Sequence, residues 1–251
     1  MLKYGDEIEV GDTPLCCAPI LRVFNKNKSE QQKSNINEAG YILYKGFEQF
    51  RNSELNLSGI KAKKLKNKNK NRNTFGKYND EIYYGTINNT NYLFFAGSDF
   101  QYNIETLQEW ASNTFIITDT SPQGDTSFVK EVENSLPDIF KNESIIAMGF
   151  SRGGYTMSNF CNNSSLTFKY IIYLAVPGTQ YNMKKICDNV YEFYHELDKV
   201  VALQKFNPKL KVKSHELFIW KSLKDMNTQQ VLSKVHGRGS EGYIKWLKDF
   251  S

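Results

Sequence analysis

The chain has 251 residues, 40% of them hydrophobic and 14% aromatic, which excludes a disordered chain and suits one α/β domain with a sizeable core. A formal net charge of +5 is compatible with an anionic surface such as lipid, but it lacks the concentration that marks a nucleic-acid binder. There is no unbroken run of about 18 apolar residues to read as a transmembrane helix.

The charged opening MLKYGDEIEVGDTPL does not read as a signal peptide, so an intracellular location is expected. Cys16, Cys17, Cys161 and Cys187 match no metal-ligand spacing and read as reduced thiols. Residues 37–52 place Tyr41, Tyr44, Phe47 and Phe50 at three-residue steps, which predicts a helix with an aromatic face. Next comes KAKKLKNKNKNRNTFGKYN, residues 61–79, rich in lysine and asparagine and without apolar periodicity. It predicts an exposed, mobile basic loop that reads first as a solvated connector, with residues 61–72 as its candidate contact with an anionic membrane.

Two strand-like runs follow, Ile82 to Thr86 and Tyr92 to Phe95, separated by a hairpin turn at Asn88, Asn89 and Thr90. Ile104, Leu107, Ala111 and Phe115 fall on one helical face with Trp110 beside them. Val129, Val132, Leu136 and Ile139 predict a further helix, which Pro137 should kink or shorten. Residues 168–178, 189–197 and 211–220 read as strands and the tail GYIKWLKDF as a closing helix. Strands alternating with helices predict a mixed sheet, parallel around Ser151.

The chemistry is concentrated in IIAMGFSRGGYTM, residues 145–157. An apolar strand runs into Gly149-Phe150-Ser151-Arg152-Gly153, a G-x-S-x-G pattern. In a nucleophile elbow the serine sits on a strained strand-to-helix turn, and the glycines are needed where a Cβ would strike neighbouring backbone. A serine hydroxyl is a weak nucleophile and needs a base, which needs an orienting acid. Of three histidines, His195 and His215 fall inside predicted strands and read as packed or surface residues. His236 precedes Gly237-Arg238-Gly239, a loop from which a ring can reach a serine. Asp198 follows the predicted strand 189–197 at its carboxyl end, where the active-site loops of open α/β sheets gather; the plainer reading of this residue is a loop cap. The order Ser151, Asp198, His236 is the α/β-hydrolase order. The candidate oxyanion donors are the backbone N–H groups of Arg152, after the nucleophile, and of Ser98, in the turn Ala96-Gly97-Ser98-Asp99.

These segments resemble the fungal-type (class 3) lipases. YLFFAGSDF followed by TLQEWASNTF is similar to that family's strand, oxyanion turn and tryptophan-bearing helix, and IIAMGFSRGG to its elbow. YLAVPGTQYN, YEFYHELDKVVAL, KSHELFIW and HGRGSEGYI are similar to its later strands and its acid- and base-bearing segments. Ala96 stands where the family usually has arginine and Phe150 where it commonly has histidine. TSPQGDTSF replaces a frequent histidine-glycine turn. The resemblance covers about residues 80–245, and the first 80 have no counterpart.

Residue pattern and resemblance together predict one domain over residues 1–251: an α/β-hydrolase fold with a mostly parallel central sheet flanked by helices and an elbow at Ser151. The expected activity is hydrolysis of lipid carboxylic esters, of the triacylglycerol lipase or phospholipase A type, with no metal or cofactor required. A thioesterase or peptidase would use the same triad. A catalytically silent hydrolase-fold binding module and an anion-binding protein organised around residues 61–72 are the readings from other classes.

Overall fold

The computed structural model describes residues 8–10, 20–23, 30–52, 63–64, 81–96, 126–179, 181–195, 198, 201, 216–222, 243, 247 and 250. In chain order they form β1 (Ile8–Val10), β2 (Ile20–Val23), α1 (Glu30–Asn52), β3 (Lys63–Lys64), β4 (Glu81–Ile87) and β5 (Thr90–Ala96). Then come α2 (Thr126–Ser135), α3 (Ile139–Asn142), β6 (Ile145–Phe150), α4 (Arg152–Asn163) and β7 (Phe168–Leu174). A 3-10 turn at Met183–Lys185, β8 (Val190–His195) and β9 (Glu216–Ser222) complete the set.

The strands make one sheet in the order β1-β2-β9-β8-β7-β6-β5-β4-β3. Its centre, β5 to β9, is parallel and laid down in chain order, and antiparallel pairs extend it on both sides. Central parallel strands are buried on both faces, so they read as continuous apolar runs, as β6 does with all six residues buried. Strand alternation still sorts the side chains. Ile146, Met148 and Phe150 join Tyr92, Phe94, Ile172 and Leu174 on the face covered by α1 and by Tyr243, Leu247 and Phe250. Ile145 and Ala147 join Leu93, Phe95, Ile171 and Tyr173 on the opposite face, under α2, α3 and α4. The result is a mixed α/β architecture in three layers, with a five-strand parallel centre.

Several expectations hold in detail. The hairpin between β4 and β5 turns on Asn88 and Asn89, both at positive φ (48° and 59°), with Ile87 paired to Thr90. Two consecutive positive-φ residues are what a tight two-residue hairpin requires, and asparagine tolerates them. The helix expected around Pro137 is broken there: α2 ends at Ser135, and the Pro137 carbonyl accepts from the Phe140 N–H as α3 begins. Proline has no N–H to continue the helical ladder. Cys161 and Cys187 are free, buried thiols, and burial raises the pKa of both.

Other expectations need correction. The basic stretch 61–79 is not loop throughout, because Lys63 and Lys64 pair with Tyr84 and Tyr83 as the sheet's β3 edge. Lysine on an edge strand discourages pairing with a further chain. Of the expected aromatic face of α1, Tyr44 is buried with Ile36, Ala39, Gly40, Ile42 and Leu43, whereas Tyr41 is 47% exposed, and the side chains of Phe47 and Phe50 lie outside the described residues. Positions three apart fall about 60° short of a full turn, so a strict three-residue series winds off the buried face. The strand from residue 168 stops at Leu174, and β9 runs on to Ser222. The predicted helix around Trp110 and most of the basic stretch lie outside the described residues. Among the described residues, no helix is long and apolar enough to cross a membrane.

Candidate active site

The carboxyl end of β6 leads straight into α4, and Ser151 is the single residue between them. Its backbone adopts φ 54° and ψ −131°, a region a residue with a Cβ seldom enters, at a cost on the order of 1–3 kcal/mol. Three constraints hold it there. The Ser151 N–H donates to the Leu174 carbonyl at 2.9 Å, continuing the β6–β7 ladder one residue past the strand, and the Ser151 carbonyl accepts from the Gly154 N–H at 3.1 Å. The third constraint is the packing of α4 back onto the sheet. A Cβ on Gly149 would stand 2.5 Å from the Gly154 Cα, and one on Gly153 would stand 2.2 Å from the Phe95 carbonyl oxygen. The glycines that frame the serine are therefore the points where helix and strand backbones touch.

Arg152 opens α4, a helix of 12 residues, so its backbone N–H belongs to the first turn, beside Ser151. The same end of α4 carries the positive pole of the helix dipole. Beside it, β5 pairs Phe95 with Gly149 and ends at Ala96, so the chain leaves β5 next to the turn at Ser151. Gly97 and Ser98, which follow, lie outside the described residues.

Asp198 sits beyond the carboxyl end of β8, two strands from β6, and is buried. Its N–H donates to the His195 carbonyl at 2.9 Å. Its Oδ1 accepts from the Val201 N–H at 3.4 Å, a bond to backbone three residues on of the kind the plainer reading of this residue expected. Its Oδ2 accepts from the Tyr243 hydroxyl at 2.7 Å, and that hydroxyl accepts in turn from the His195 N–H at 2.9 Å. A hydrogen bond to a buried charged acceptor contributes about 1.5–3 kcal/mol. Burial, and then the neighbouring Asp198, push the Tyr243 hydroxyl well above its ordinary pKa, so it is a donor at every relevant pH.

His195 is fully buried, as its place in a strand predicted. Burial lowers its pKa to about 4, with Asp198 pulling the other way, so the ring is neutral near pH 7. His236 and His215 lie outside the described residues. Sequence reasoning placed Tyr243 only as part of a closing helix. The available signal was its spacing from Leu247 and Phe250, which puts a hydroxyl-bearing ring on that segment's apolar face. Among the described residues no cluster of His, Cys, Asp and Glu is arranged to hold a metal.

No protein-family model matches the chain, and no curated protein does. Among solved structures, the native Rhizomucor miehei lipase propeptide complex is similar at a TM-score of 0.44 and 16% identity, over 81% of this chain and 70% of that one. A deletion mutant of the same complex gives 0.42 and 15%, over 81% and 69%. A likeness of this size says nothing about chemistry, for which the geometry at Ser151 and Asp198 is the guide.

Proposed function

We propose that the chain is a serine hydrolase of the α/β-hydrolase fold that cleaves carboxylic esters, those of lipids in particular. Ser151 attacks the acyl carbonyl through Oγ while His236 takes its proton. Asp198 orients the imidazole and stabilises its charged form. The backbone N–H groups of Arg152 and Ser98 bind the oxyanion, His236 gives its proton to the departing alcohol as the ester C–O bond breaks, and water then releases the acyl group from Ser151 as the carboxylic acid.

The observation that carries this reading is the backbone of Ser151 at φ 54° and ψ −131° between β6 and α4. Strain of that kind persists only where the surroundings impose it, and it serves to lift a nucleophile clear of the sheet's carboxyl edge. Asp198, buried at the same edge with both oxygens engaged, supports the role of orienting acid. The lipid ester as substrate rests on the six segments that resemble the fungal-type lipases, and the basic stretch 61–72 would hold the enzyme at an anionic surface.

The test is covalent labelling with a fluorophosphonate probe, followed by a panel of acyl esters of increasing chain length. Labelling at Ser151, lost in Ser151→Ala, with turnover rising toward long acyl chains, is the expected result. Absence of labelling in the wild-type protein would leave a silent hydrolase-fold binding module. Turnover confined to thioesters or peptides would move the substrate within the same triad chemistry.

A further inference from the structure

We propose that Tyr243 is a positioning residue for Asp198, an inference that rests on the esterase reading above. One side chain here joins the segments that carry the triad. Its hydroxyl is clamped between two groups of the β8 exit, accepting from the His195 backbone N–H at 2.9 Å and donating to Asp198 Oδ2 at 2.7 Å. Its ring packs edge-on against Phe150, the residue before Ser151, with centroids 6.3 Å apart and planes at 71°. Along the chain it follows His236 by seven residues. Tyr243 thus ties the stretch after the base to the acid, and braces that tie against the strand bearing the nucleophile.

The chemistry fits holding a carboxylate rather than merely filling space. A phenylalanine of the same shape would fill the core equally well, yet the hydroxyl is present and buried completely with its ring. Asp198 is held at both oxygens from two directions, by the Val201 N–H and by Tyr243, which fixes the rotation of the carboxylate plane. A carboxylate offers about four acceptor positions, more than these two bonds use by themselves. Among the described residues, the ionisable groups around this hydroxyl are Asp198, His195 and, within electrostatic reach on β8, Glu192. Phe250 is a separate anchor of the same core, its ring edge-on to Phe193 at 5.7 Å and against Gly40 of α1.

The test is Tyr243→Phe, compared with Phe250→Leu as a variant that loosens the same core without touching the carboxylate. Folding of each is measured by thermal melting, and the active fraction by fluorophosphonate titration of Ser151. For Tyr243→Phe, kcat per labelled site should fall roughly 10- to 100-fold with KM unchanged, the loss expected when a charge-assisted hydrogen bond is removed. The acid limb of kcat/KM should also move to higher pH. Without the phenol, Asp198 loses one of the bonds that share its negative charge, and its carboxylate holds the His236 imidazolium more tightly. Phe250→Leu should lower the melting temperature and leave both kcat per site and the acid limb in place. Wild-type kcat and acid limb in a folded, labelled Tyr243→Phe would overturn the positioning role and leave the esterase reading standing. A limb that moves equally in both variants would overturn it too. A wild-type protein that neither labels nor hydrolyses esters would overturn both together.

Discussion

Gly153 of α4 lies so close to Phe95 of β5 that a Cβ on the glycine would stand 2.2 Å from the phenylalanine carbonyl oxygen. The contact is backbone against backbone, between the first turn of a helix and the end of a central strand, so neither side can swing away. On helix propensity alone, Gly153→Ala would gain up to about 1 kcal/mol. Overpacking against fixed backbone costs about 1–3 kcal/mol or more and acts in the opposite direction. We expect net destabilisation in urea unfolding, together with weaker labelling of Ser151 as α4 shifts. A more stable Gly153→Ala would mean that α4 does not approach β5 this closely.

The strain at Ser151 gives an expectation separate from catalysis. Glycine adopts φ 54° and ψ −131° without the Cβ penalty, which is on the order of 1–3 kcal/mol, and gives back about 0.4–1 kcal/mol through its freer unfolded chain. Ser151→Gly should therefore be more stable than Ser151→Ala by about 1 kcal/mol. Both lack the hydroxyl, so the comparison isolates the backbone, and both should be inactive on p-nitrophenyl esters. Equal midpoints in denaturant would argue that no strain is stored at this turn.

His195 makes stability depend on pH in a defined window. Its folded pKa, about 4, lies below the ordinary 6.5, so on acidification the unfolded chain takes up the proton first. Stability is thus lost as pH falls from about 6.5 to about 4, by up to roughly 3 kcal/mol, and this contribution levels off below that range. Chemical denaturation at pH 7 and pH 4.5 should show a smaller difference in His195→Gln than in the wild type. An unchanged difference would assign the acid sensitivity to other groups.

The proposed triad predicts non-additivity. Ser151→Ala and His236→Ala should each lower kcat by on the order of 10⁴-fold or more, and the double variant should be scarcely worse than either. His215→Ala should change stability more than turnover. An essential His215 beside a dispensable His236, read from ester hydrolysis, would relocate the base.

Local chemistry makes the turn at Ser151 legible in the sequence. A buried strand, glycines at close contacts and a following helix are all encoded within the thirteen residues 145–157. Asp198 is readable for a similar reason, since it follows a recognisable strand. Lys63 and Lys64 in an edge strand are not, because edge pairing is made by backbone groups that leave no trace in side-chain pattern. On α1, Tyr44 joins the buried face as expected and Tyr41 does not, because aromatic rings at three-residue steps suggest a stripe that helical geometry does not keep straight.

By itself, the sequence determined the parallel strand-helix alternation, the hairpin at Asn88–Asn89 and the glycine-framed serine, because apolar period and turn chemistry act over a few neighbouring residues. Only the tertiary structure decided which chain segments cover each face of the sheet, and that the Tyr243 hydroxyl meets the Asp198 carboxylate across 45 positions of sequence. That meeting depends on burying Tyr243, Leu247 and Phe250 against the sheet under α1, a long-range packing choice that no local pattern specifies.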